Sequence, residues 1–339
     1  MDANGPETQG ISLRRRFFSW PTLISFVIAV VILILLLTRF PVDLRATWET
    51  IRQSDPRLFA VAVMVHYTTF LFRGLRWRLL LRNAGVGEMA PLPSPVTAAR
   101  LVLLGWFASS VTWFRLGDAY RAFAYAEETG APLARSMGTI LAERVMDIAL
   151  VFLLLLIGFL LVYADPDMQL PQTMLLVGLA LVATALLTLL GMQLFRRRVS
   201  RLLPQRVLAV YRSFHEGTMR SFNTLPWVVL TGLLAWLAEV GRLYFVVSAT
   251  GLDVGIGLVM FVSLANALLS AVPLSPGGLG IVEAGLVGLL GLAVSRDAAV
   301  SITLVDRSIS YLSVVLTGVV SLLYHQRMMV RHRRALDPS

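Results

Sequence analysis

Two stretches of this sequence contain no charged side chain at all: residues 20–38 and residues 170–195. Hydrocarbon offers a backbone no hydrogen-bond partner, so a chain that enters it must pair its own polar groups as helices or as a closed barrel. Uncharged runs of about 20 residues match the length of one helical crossing. The whole chain agrees: charged residues make up 15% and mean hydropathy is +0.74, where a soluble domain carries about a quarter charged residues. The fold class expected is therefore an all-α polytopic membrane protein.

Full-length crossings are expected near 20–38, 58–80, 137–163, 171–195, 225–249 and 299–325. The apolar segments 97–113 and 257–272 are too short to cross. Each is followed by a glycine-containing break and a second short segment, 117–127 and 281–293. These pairs read as re-entrant helical hairpins, because broken backbone at membrane depth survives only where protein or a watery cavity covers it. The expectation is about six full transmembrane helices plus two re-entrant hairpins.

Arginines set the orientation. Arg14, Arg15 and Arg16, the group Arg73, Arg76, Arg78 and Arg82, the arginines of 196–220, and the 327–339 tail mark the cytoplasmic side. Asp165 and Asp167 mark an outer loop. Both termini are then cytoplasmic and the membrane is the cytoplasmic (inner) one. The run after Arg16 ends without a small-residue cleavage site, so it reads as an uncleaved helix. The net charge of +10 resides in these loops and reads as orientation and contact with anionic lipid, not nucleic-acid binding.

The chain also repeats itself. At an offset of 163, Leu116-Gly117 matches Leu279-Gly280 and Glu143-Arg144 matches Asp306-Arg307; at 166, Arg76 matches Arg242 and Gly85 matches Gly251. One transmembrane domain, 1–339, is thus read as a first repeat, 1–165, a second repeat, 166–326, and the basic tail. Three crossings per repeat give the two halves opposite topology, the inverted plan of many transporters, whose sites form at broken helices near the midplane.

Charged residues inside apolar segments are costly and are the candidates for function. Arg115, Asp118 and Arg121 surround the first hairpin's tip. Arginine forks and helix N-termini both suit phosphate, so Arg115 and Arg121 read either as phosphate ligands or as solvated loop charges. Glu143, Arg144 and Asp147 lie within one turn or so of each other, as a proton-coupling group or as a network that locks packing. Asp306 and Arg307 repeat the pattern, and Glu239 with Arg242 reads as a local i,i+3 pair. In the second hairpin, Pro273 and Pro276 stop one arm. Gly277, Gly278 and Gly280 free the backbone, and Glu283 either caps the next arm or faces a cavity. The 163 offset sets Glu283 opposite Tyr120, so the first tip is expected to be rich in arginine and the second acidic.

No catalytic signature is found. Cysteine is absent and the four histidines are scattered, so thiol chemistry and a metal site are not expected. There is no P-loop and no Gly-x-Ser-x-Gly. No cofactor and no catalytic residue is assigned.

The stretches RLGDAYRA, LAERVMDIAL, PLSPGGLGIVEAGLVGLLG and LVDRSISYL, in this order, resemble the flippase-like family named for the membrane region of lysylphosphatidylglycerol synthetase/flippase proteins. The resemblance covers about 58–325 and is to stand-alone members, since no soluble synthetase domain follows the last apolar run. It implies translocation of an anionic, aminoacylated or polyprenyl-type phospholipid between leaflets. It makes Asp118, Arg121, Glu143, Arg144, Asp147, Glu283, Asp306 and Arg307 the motif residues. Other readings are a membrane-embedded headgroup transferase and a non-catalytic partner in envelope synthesis. The partners expected are a membrane phospholipid or lipid-linked substrate, a second copy in a homodimer, and a separate synthetase or glycosyltransferase.

Overall fold

Local sequence signals start the helices. Asp55 accepts a hydrogen bond from the Arg57 N–H at 2.8 Å, with Pro56 in the first helical position. Ser94 does the same for Thr97 at 3.1 Å ahead of Pro95. The computed structural model describes residues 44–112, 116–163, 205–271 and 276–336, with positions 187 and 190. In order, α1 is Leu44–Gln53, α2 Pro56–Asn83, α3 Pro95–Val111, α4 Gly117–Thr129, α5 Leu133–Tyr163 and α6 Gln205–Arg220. Then follow α7 Leu225–Ala249, α8 Ile256–Ala271, α9 Ile281–Leu290, α10 Arg296–Arg307 and α11 Val314–Leu336. One π-helical turn, Ser308–Ser313, joins α10 to α11. No strand occurs among the described residues, and the chain is an all-helical membrane protein.

Four stretches are long and apolar enough to cross a bilayer: Pro56–Asn83, Leu133–Val162, Leu208–Ala249 and Arg296–Val330. They overlap the crossings expected at 58–80, 137–163, 225–249 and 299–325, the third beginning well before its expected start. The expected crossing at 20–38 lies outside the described residues, as does all of 171–195 but positions 187 and 190.

Both short pairs form helical hairpins. α3 packs on α4, and α8 packs on α9. At about 1.5 Å per residue none of these arms spans a hydrocarbon core of about 30 Å. The arms of the first hairpin touch backbone to backbone: a Cβ on Gly117 would sit 1.8 Å from the Gly105 carbonyl oxygen. Each hairpin has its own apolar core. The first is built around Phe70, Trp77, Leu104, Phe107 and Tyr125, the second around Leu154, Phe159, Leu243, Phe261 and Leu286.

The basic segment 196–220 is expected from its arginines to be a cytoplasmic segment. Its second part is the helix α6, which turns His215, Gly217 and Thr218 onto α5 and leaves Arg212 and Arg220 exposed. Glycine permits the crossing: a Cβ on Gly138 would meet the Phe214 carbonyl oxygen at 2.2 Å. Arg135 and Glu216 close it with an ion pair.

Candidate functional site

Most of the charged residues buried in these helices join one connected network, and Glu283 and Arg307 form a separate pair at the second tip. Arg76 on α2 is fully buried and grips Asp147 on α5 through both carboxylate oxygens, at 2.7 and 3.0 Å. It also lies 3.3 Å from Glu143. Trp236 on α7 donates its indole N–H to Asp147 at 2.9 Å. Arg144, on the same turn of α5, grips Asp118, in the first turn of α4, through two hydrogen bonds of 2.7 Å. Arg121 lies over the Trp77 ring at 4.7 Å, between Glu143 at 3.4 Å and Asp118 at 3.5 Å.

Arg73, one turn before Arg76, lies between the Trp106 and Trp236 rings at 5.1 and 4.6 Å. It reaches Asp147 only at 3.8 Å and Glu239 only at 3.9 Å. Arg242 stands 3.4 Å from both Glu239 and Asp306. Glu239 and Arg242 therefore do more than pair along one helix: they carry the network from α7 to α2 and α10.

At the second tip, Glu283 uses its two oxygens differently. One accepts the Gly280 N–H at 2.6 Å, which caps α9; the other accepts from Arg307 at 2.7 Å. Arg307 also donates to the Gly277 carbonyl at 3.2 Å and lies over the Tyr311 ring at 4.8 Å. Gly277, Gly278 and Gly280 all have positive φ, 61°, 72° and 86°, which a side chain would strain.

Two of these contacts have counterparts in the other half. Arg144 holds Asp118 at 2.7 Å, and Arg307 holds Glu283 at 2.7 Å. Arg76 stands 3.3 Å from Glu143, and Arg242 stands 3.4 Å from Asp306. The expected contrast between an arginine-rich and an acidic tip turns on Arg115, which lies outside the described residues, but the described acids of the two tips are held alike. In both hairpins an acid in the first turn of the second arm is held by the arginine of an acid-Arg pair. The fixed offset missed this because Asp118 and Glu283 are displaced by two residues from strict register. The tips also touch. Tyr311 donates to the Ser110 carbonyl at 3.3 Å, and a Cβ on Gly277 would lie 3.5 Å from the Ser110 Cα.

Of the residues singled out from sequence, Asp118, Arg121, Glu143, Arg144 and Asp147 meet in one cluster, Asp306 joins it through Arg242, and Glu283 and Arg307 meet at the second tip. Arg115 lies outside the described residues. No group of three or more metal-ligating side chains occurs among the described residues.

Residues 22–318 match the family described as the lysylphosphatidylglycerol synthase TM region. The chain belongs to this family. The match takes in both hairpins and every residue of the network. Among relatives, a UPF0104 membrane protein of Methanocaldococcus jannaschii is 28% identical over 219 residues, 63% of this chain and 92% of its own length. A UPF0104 membrane protein of Pyrococcus horikoshii is 23% identical over 84% of this chain and 92% of its own length. The glycosyltransferase AglD of Haloferax volcanii is 26% identical over 92% of this chain, but the match spans 56% of that protein.

Sequence reasoning overlooked Arg73 and Arg76 as site residues, along with Trp77, Trp106, Trp236 and Tyr311. In the sequence Arg73 served only as an orientation mark, and Arg76 as an orientation mark and a match within the repeat. Helical phase separates them from true loop charges: Arg73 and Arg76 share the buried face with His66, Thr69 and Trp77, whereas Arg78 and Arg82 are exposed.

Proposed function

We propose that this protein translocates a phosphate-bearing lipid between leaflets of the cytoplasmic membrane, with both termini on the cytoplasmic side. The observation that carries the reading is the pair of broken hairpins whose tips touch, each locked by a matched acid-arginine contact. Inverted repeats that meet at broken helices are the plan by which transporters alternate access to a midplane site. Membership of a family defined on the membrane region of a lipid synthase supports a lipid substrate.

The arginines would bind the phosphate and the acids would hold them ready for it. In the conformation described, Arg121 is engaged by Glu143 and Asp118, so a phosphate would have to compete for it. The assay is transfer of labelled phosphatidylglycerol and of a labelled polyprenyl phosphate in proteoliposomes. Faster transfer than in protein-free vesicles is expected for one of the two; equal rates for both would sink the proposal.

The likeness to the AglD glycosyltransferase favours a second reading, in which the domain serves lipid-linked glycosyl transfer, itself or beside a partner enzyme. That reading predicts headgroup transfer in detergent micelles, where no leaflets exist.

A further inference from the structure

The middle of α2 carries polar atoms that the ion network does not use. His66 is fully buried, and neither ring nitrogen makes a hydrogen bond within the described residues. Thr69, also fully buried, leaves its hydroxyl unpaired. Arg73 leaves Nε unpaired, and on α7 Arg242 leaves Nε and Nη1 unpaired. Glu239 and Asp306 each keep one carboxylate oxygen without a hydrogen bond. These atoms belong together. His66, Thr69 and Arg73 share one helix face at i, i+3 and i+7. The charges of Arg242 and Arg73 both act on His66. Glu239 approaches Arg73 and Arg242, which in turn meets Asp306.

Buried polar groups are nearly always paired, and each exception calls for a cause. An isolated orphan would be a local defect, but a cluster across three helices at mid-depth is a shape. Thr69 falls near the middle of the 28-residue α2. Arg73 is the least neutralised guanidinium of the network. Its carboxylate contacts are 3.8 and 3.9 Å, against 2.7 Å for Arg76 with Asp147. Donors and acceptors occur together: guanidinium, imidazole and hydroxyl groups, and two carboxylate oxygens that face Arg73 at 3.9 Å and Arg242 at 3.4 Å without a hydrogen bond. A bare anion would satisfy only the first set.

We infer that His66, Thr69, Arg73, Arg242, Glu239 and Asp306 form a mid-membrane binding site for a phosphate ester whose headgroup carries hydroxyls. The phosphate oxygens accept from Arg73, Arg242, His66 and Thr69. The headgroup hydroxyls donate to Glu239 and Asp306. The inference rests on the translocation reading and moves the phosphate subsite from the hairpin tips to the α2–α7 contact.

The test is binding to the full chain in uncharged detergent, with short-chain phosphatidylglycerol, short-chain phosphatidylcholine and inorganic phosphate as separate probes. Phosphatidylglycerol is expected to bind at least about ten-fold more tightly than the other two, the cost of one lost buried polar contact. Thr69→Val and His66→Gln are each expected to weaken it by a similar factor while leaving the melting temperature near wild type. Both variants keep every ion pair, so loss of fold is separable from loss of binding. Equal binding of phosphatidylcholine or inorganic phosphate overturns the proposal, and so does phosphatidylglycerol binding that neither variant weakens. The same proteins in the vesicle assay separate the two ideas. Wild type that binds selectively but moves no lipid removes the translocation reading and keeps the site. Variants that move and bind lipid as wild type does remove the site and keep the reading.

Discussion

Asp147 shows what one carboxylate must do at membrane depth. It accepts two hydrogen bonds from Arg76 and one from Trp236, and it faces Arg144 at 3.5 Å and Arg73 at 3.8 Å. Removing one partner of a buried pair leaves the other charge uncompensated, at a cost of about 3–5 kcal/mol. Asp147→Asn keeps the shape and an acceptor for Trp236 but removes the counter-charge of three arginines. The variant is expected to lose stability of about that size, read as a clearly lower unfolding temperature of the full chain in detergent. Unfolding at the wild-type temperature would show that Asp147 is not the counter-ion its geometry implies. The sequence exposed this residue, since an acid within an apolar run is conspicuous. It could not expose the partners, because Arg76 and Trp236 are 71 and 89 residues away and ion pairs across helices leave no local pattern.

Elements were legible where their signal was local. Apolar length located the four described crossings, and length with glycine located both hairpins. The helix α6 was hidden because a basic amphipathic stretch reads equally well as a loop. The π turn at Ser308–Ser313 was hidden because its partners are distant: Tyr67 on α2 donates to the Ser313 hydroxyl at 3.0 Å. Such turns mark helices bent for a purpose, and this one aims Tyr311 at the first hairpin.

The base of that hairpin is latched to α11. His325 sets one ring nitrogen 2.8 Å from Glu128 and the other 3.3 Å from Glu127, and Arg100 pairs with Glu128. Burial alone would raise the Glu128 carboxyl, but hydrogen bonds from His325 and Arg100 hold it below its ordinary value. A carboxyl lowered by folding contributes stability above its unfolded pKa of about 4.3, and that stability is lost as pH falls through the folded value. Wild type is therefore expected to lose more melting temperature between about pH 5 and pH 3 than Glu128→Gln does, since the amide has no proton to gain. Parallel pH curves for the two proteins would show that the latch does not depend on the charge of Glu128.

The two large apolar cores among the described residues, one per hairpin, are accompanied by a charged interface built by α2, α5 and α7. Among the described residues the interface and the second tip hold as many acids as arginines. Neutrality lets so many charges stay buried, and it also means that moving one element exposes charge on both sides of the break. If one repeat rocks against the other, the contact most directly strained is where the tips meet, between Ser110 and the Gly277–Tyr311 pair. The absence of native cysteine makes this testable with introduced thiols alone. In the double variant Ser110→Cys with Tyr311→Cys, a short reducible bis-thiol-reactive spacer would replace the tyrosine ring as a covalent link. Bridged protein in vesicles is expected to move lipid at the protein-free rate and to recover when the spacer is reduced, while each single variant stays unaffected by the reagent. Transfer at the unbridged rate would show that the tips stay together throughout the cycle. Access would then have to alternate by some motion other than parting of the two hairpins.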